Sequence, residues 1–192
     1  MIFASIRHNL ANLLRFSGRE SRALFWPYAI AIFLLSIAAY ILMFVPIMTD
    51  MMARTVAYAQ AHPEGFPKSA PGQPPVLPPE LMPDFSRMVI PSAMVGIAAI
   101  VLLASAVVRR LHDRDKSGWW GAMPLPFKMI GALMAPAVTK TMTAYPPTPS
   151  LLAALSSLNG LCSLVATIVL IVLLVGEPSR GPNRFGDDTP PR

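Results

Sequence analysis

Three stretches of this chain, 24–48, 88–108 and 151–175, contain no Asp, Glu, Lys or Arg at all. Nothing else in the sequence restricts the fold so hard. Each stretch has the roughly 20 residues that a helix needs to cross the hydrocarbon of a bilayer, and a backbone inside lipid must satisfy its own hydrogen bonds. A fourth stretch, 119–138, is interrupted by Pro124, Pro126, Lys128 and Pro136, which predicts a span with less definite ends. Composition agrees, because only 14% of the 192 residues are charged and 54% are apolar, whereas a soluble domain carries about 25% charged residues. The expected fold is all-α: a polytopic membrane protein with four transmembrane helices and an N-terminal amphipathic interfacial helix.

Basic residues give the orientation, since Lys and Arg in short loops resist translocation. Eleven of the sixteen lie before the first span, between the second and third, or after the fourth; four lie in the other two connections, and Lys128 is inside a span. The expected threading therefore has cytoplasmic segments at 1–20, 109–118 and 176–192. Spans occupy 24–48, 88–108, 119–138 and 151–175, with a Pro-rich periplasmic loop at 49–87 and a shorter one at 139–150. Trp26, Trp119 and Trp120 all fall at the cytoplasmic ends of their spans, where indole rings favour the headgroup layer as interfacial anchors. The first span is too long for a signal-peptide core and is expected to be retained. Cys162, the one cysteine, lies within the fourth span, which excludes an intramolecular disulfide.

Between these landmarks the local signals are structural. In 1–16, Ile2, Ile6, Leu10, Leu13 and Leu14 share a helical face, with Arg7, His8, Asn12 and Arg15 largely off it, the pattern of a helix lying in the headgroup layer. Gly18 allows a turn into the first span, which Pro46 is expected to kink or end. Eight prolines in 62–83 predict an extended loop. Met48, Met51, Met52 and Met82 lack the regular spacing a soft-metal site would need, and no metal or cofactor is expected. Small residues line one face of the second span (Ser92, Gly96, Ala99) and one of the fourth (Ser156, Gly160, Ser163, Thr167), which suits close helix packing.

The densest polar stretch is "RRLHDRDKSGWW" at 109–120. Arg109, Arg110 and His112 suit the negative pole at the end of the second span, and Asp113 and Asp115 the positive pole of the third. Ser117 can cap the next helix and Gly118 relax the turn.

The wording of this stretch also resembles the "RRLHD-x-x-[RK]-S-x-WW" signature of the bacterial inner-membrane DUF805 proteins. "GRESRALFW" at 18–26 and "GPNRFGDD" at 181–188 resemble that family's N-terminal and C-terminal motifs, in the same order. The resemblance implies an inner-membrane location and no established activity. Relatives commonly have an acid where this chain has Leu24, and a shorter hydrophobic stretch between the tryptophan pair and the last motif.

Three kinds of function are compatible with these residues. The leading one is a non-catalytic membrane protein whose cytoplasmic face meets anionic lipid or a partner protein, with Arg7, Arg15, Arg114 and Lys116 as lipid contacts; homo-oligomers are compatible, and nucleic acid is not an expected partner. The second is a transporter or channel component built around Lys128, an intramembrane amine unless its helix starts after Pro126 and the side chain snorkels out. The third is an enzyme acting on lipid or phosphate, with His112 as base, Asp113 or Asp115 orienting it, and Arg109 and Arg110 holding an anion. The four-span threading brings the three motifs to one side. It predicts a polar cap that gathers Arg19, Arg22, Asp113 and Asp115, in which Arg22 reaches one of the two aspartates and Asn183 or the Phe185–Gly186 backbone closes over Arg109 and Arg110. On that charge count the cap has room for a phosphate.

Overall fold

The computed structural model describes residues 2–63, 65, 78–83, 85–143 and 151–187. Among them are five α-helices: α1 (Ile2–Ala11), α2 (Arg22–Ala61), α3 (Ser86–His112), α4 (Leu125–Thr143) and α5 (Leu151–Val175). Four of the helical segments are long and apolar enough to cross a membrane, and the protein is an all-α, multi-pass membrane protein. The expected fourth span and α5 coincide. The other three differ at their ends.

α2 is the largest departure, because it continues to Ala61 and so takes up 49–61, assigned above to the Pro-rich loop. Its 40 residues rise about 60 Å, twice the thickness of a hydrocarbon core of about 30 Å. Pro46 lies within the helix and does not end it; a proline removes one backbone bond, and Thr49 donates to the carbonyl of Pro46 (2.9 Å), as Thr55 does to Met51 (2.8 Å). α2 ends where His62 stacks on Tyr58, ring centroids 4.1 Å apart. Of the Pro-rich segment, 78–83 form no extended strand: Pro79–Leu81 is a single 3-10 turn with Leu81 buried. Most of "PGQPPVLPPE" lies outside the described residues, as does 144–150.

α3 runs four residues past the expected span, to His112. A 3-10 turn, Gly118–Ala122, then carries the tryptophan pair across its end before α4 begins at Leu125. Ser117 caps this turn by accepting from the Trp119 amide at 3.4 Å. Gly118 is needed for a different reason from the one expected. Its backbone is not left-handed; a Cβ there would sit 2.8 Å from Val108 Cγ1, and one on Gly121 2.9 Å from Val107 Cγ1. The left-handed residue of the connection is Asp115, at φ +53°, a conformation that Asp tolerates better than most residues.

α2 packs on α3, α4 on α5, and α3 joins the two pairs, with α1 docked on α2. The apolar core is Phe25, Tyr28, Ile32, Ala106, Leu111 and Leu174. All six lie near the helix ends that meet α1, the 109–118 connection and the tail. Beyond them the spans expose side chains such as Leu42 and Leu133, the kind of apolar surface that lipid or another chain covers. A Cβ on Gly96 or Gly160 would meet nothing within 4 Å, so those small residues do not serve the close packing within the chain that their spacing suggests. Gly131 does: Asn159 Nδ2 approaches it and donates to the Phe127 carbonyl at 3.0 Å.

Candidate functional site

The end of the bundle that holds the core also holds its buried charges. Glu20, Arg109, Arg110, His112 and Asp113 are buried, together with Ser5, Asn9 and Ser105. An ion taken out of water costs several kcal/mol unless its partners are well placed, so the arrangement depends on what each charge meets.

Arg109 serves the N-terminal side. Its Nε and Nη2 both lie 2.7 Å from Glu20 Oε2, Nη2 donates to Asn9 Oδ1 (2.7 Å), and Nη1 donates to the carbonyls of Asn12 (2.9 Å) and Arg15 (2.6 Å). The Glu20 amide in turn donates to the Arg109 carbonyl at 3.2 Å. Arg110, the next residue, serves the C-terminal side. It donates through Nε to Leu174 O (3.0 Å), through Nη2 to Gly176 O (2.7 Å) and through Nη1 to Asp113 Oδ2. Arg19 closes the ring, with Nε on Asp113 Oδ1 (3.1 Å) and its two terminal nitrogens on the carbonyls of Gly181 (2.8 Å) and Ser179 (3.0 Å).

A helix leaves its last four carbonyls without intrahelical donors. For α5, which ends at Val175, arginines of the connection supply donors. Arg114 donates to Val172 and Leu173, and Arg110 to Leu174. Gly176 makes room for this: a Cβ there would lie 2.0 Å from Arg114 Cζ. The arginines thus act as donors for backbone at the end of α5.

The tail locks onto the same point. Asn183 Nδ2 donates to the carbonyl of His112 (2.9 Å) and to Ser179 Oγ (2.8 Å), while its Oδ1 accepts from the Phe185 amide at 2.9 Å. Asn183 and Gly186 exchange backbone bonds of 3.0 Å, a turn closed by Gly186 at φ +137°. This sets the Phe185 ring flat on His112, with centroids 3.8 Å apart and planes 5° apart. On its other edge His112 Nδ1 lies 3.2 Å from the Gly18 carbonyl. Arg184 lies over Phe185 and pairs with Asp115 at 3.0 Å on the exposed rim.

The three sequence motifs therefore meet, but the tail closes over His112 and not over the arginine pair, and there are two changes of partner. The arginine of 18–26 that reaches an aspartate is Arg19; Arg22 begins α2 with its side chain exposed. Second, the arginine pair has acceptors of its own. Glu20, Asn9, Asp113 and the carbonyls of Asn12, Arg15, Leu174 and Gly176 fill the space that charge counting assigned to a phosphate. Glu20 escaped the sequence reading, although it is the only acid before residue 50, among four arginines. Ser5 and Asn9 escaped too. They form the face by which α1 docks, both donating to the Leu24 carbonyl, while Ile2, Phe3, Leu10 and Leu14 point outward. Of the residues considered for catalysis, Asp113 has both carboxylate oxygens on arginines, and His112 lies between Gly18 and Phe185. Lys128 is in the first turn of α4 and exposed.

The DUF805 family model, described as a protein of unknown function, matches residues 13–187. That range takes in every cap residue except Ser5, Asn9 and Asn12. No curated protein and no solved structure matches the chain.

Proposed function

The chain belongs to the DUF805 family of proteins of unknown function, and from the surface its capped end presents we propose that it is a non-catalytic protein of the bacterial inner membrane that holds anionic phospholipid against its cytoplasmic face. One observation carries this reading. α1 docks through Ser5 and Asn9, with Ile6 against the core, and leaves Phe3 88% exposed; Leu14, just past the end of α1, is 85% exposed, and Trp119 is 84% exposed. Such a surface belongs in the headgroup layer. Around it, Arg7, Arg15, Arg22 and Lys116 are exposed, and each adds about 1 kcal/mol of attraction to an anionic surface. Arg109, Arg110 and Arg19 are committed to internal acceptors, so the lipid-facing charge is the exposed set, with Arg114 left to cap α5. The cytoplasmic assignment follows from the excess of basic residues at this end.

The test is phospholipid analysis of the protein purified in mild detergent. Replacing Arg7, Arg15, Arg22 and Lys116 by Gln lowers the anionic phospholipid recovered several-fold while the zwitterionic amount holds. Unchanged anionic recovery refutes the reading. Unchanged lipid together with loss of a co-purifying protein assigns the face to a protein partner.

A further inference from the structure

At the far end of the bundle, away from the cap, α2 and α3 border a cavity of about 240 Å³ lined by Met43, Pro46, Ile47, Asp50, Arg87, Met88 and Pro91. We infer that it is a binding notch for the headgroup and upper chains of an ethanolamine-type zwitterionic phospholipid, its ammonium on Asp50. Depth is the first argument. At 1.5 Å per residue, Met43 stands about 28 Å from Leu24 along α2, and Met88 about 30 Å from Val108 along α3, which is the thickness of the hydrocarbon. Asp50 and Arg87 stand beyond them, at the level of headgroups. The lining changes from thioether and alkyl to charged at that boundary, as the surface of a phospholipid does.

Size and charge narrow the ligand. The volume is below the roughly 300–1,000 Å³ of pockets that enclose a whole small molecule, and it suits a headgroup with the start of its chains. Two in-helix prolines border the gap, Pro46 from α2 and Pro91 from α3. Asp50 pairs with Arg54 at 2.8 Å, but both are about half exposed (54% and 45%), and so open a pair contributes little, leaving the carboxylate able to accept a second cation. A primary ammonium donates three hydrogen bonds to such an acceptor, whereas a choline headgroup has no N–H to donate, and an anionic glycerol headgroup offers Asp50 no cation.

Reconstituting the full-length protein in nanodiscs with equal ethanolamine, choline and glycerol phospholipids, and weighing the lipids retained by native mass spectrometry, tests this. Ethanolamine lipid is retained at least fivefold over choline lipid. Asp50→Asn brings the two to parity, and Met43→Trp, which fills the notch, lowers retention of both. Equal retention by the unaltered protein overturns the inference, as does a preference that survives both substitutions. Displacement of the lipid by water-soluble glycerophosphoethanolamine at matching concentration overturns the lipid assignment. Neither substitution touches the cap or the basic residues around it, so this result and the anionic-lipid result stand or fall separately.

Discussion

Replacing Glu20 by Gln changes almost nothing in shape and removes one charge from the centre of the cap. Arg109 and Glu20 have side chains 4% and 0% exposed, so the loss falls on an arginine with no water to turn to. Deleting one partner of such a buried pair costs about 3–5 kcal/mol. Two features place this case near the lower bound. The Gln oxygen still accepts one bond, and Arg109 keeps Asn9 Oδ1 and the carbonyls of Asn12 and Arg15. Against that, Glu20 Oε1 is buried with no hydrogen-bond partner, and an amide nitrogen placed there would need an acceptor of its own. The expected loss is about 3 kcal/mol, a hundredfold or more in the folded-to-unfolded ratio at 1.4 kcal/mol per factor of ten. Reversible unfolding in mixed detergent micelles measures it, with Asp50→Asn as a control on a half-exposed pair worth at most about 1 kcal/mol. If Glu20→Gln falls within about 0.5 kcal/mol of the control, the cap is not held by this pair and the reasoning fails.

Arg184→Cys paired with Asp115→Cys in a Cys162→Ser background should crosslink with a short reagent in intact membranes, because those side chains meet at 3.0 Å on the exposed rim; no crosslink means that the tail is not seated there. Gly176→Ala should displace Arg114 from the end of α5 and cost about 1–2 kcal/mol of unfolding stability. In an Arg114→Ala background the same substitution should cost almost nothing, and additive losses would show that Gly176 serves something else. Reporter fusions at residues 70 and 192 should read periplasm and cytoplasm; a periplasmic reading at 192 would require an odd number of crossings and contradict four spans.

What could be read in advance was whatever one segment decides by itself. Absence of charge over 151–175 fixed a helix with those same bounds, since nothing in that stretch competes with the membrane. The end of α2 was missed because Pro46 is a local signal overridden by the residues around it, and no hydrophobicity rule stops a helix that leaves the bilayer through Thr49, Asp50 and Arg54. Within the cap, the motifs announced that 19–22, 109–115 and 183–186 belong together. Partner choice was not legible, because whether Arg19 or Arg22 meets Asp113 depends on where the turn at Gly18 ends and α2 begins. Glu20 was passed over for the same reason: a lone acid beside a turn resembles a solvated residue until a helix 89 positions later is laid against it. Gly96 and Gly160 show the opposite error, two positions whose spacing permits close contact without producing it within the chain.

Adjacent in sequence, Arg109 and Arg110 divide their work between the chain already made and the chain still to be made, and this sets an order of events during synthesis. Every acceptor of the Arg109 side chain, from Asn9 to Glu20, has already left the ribosome when Arg109 appears, so α1, α2 and α3 can close around it while the rest is unmade. Arg110 must wait for Leu174 and Gly176, and Arg19, translated well before them, waits for Ser179 and Gly181. A nascent chain halted before its tail therefore carries one finished lock and one open one. In that intermediate Arg19 and Arg110 have Asp113 to pair with but lack the tail carbonyls that complete their hydrogen bonding.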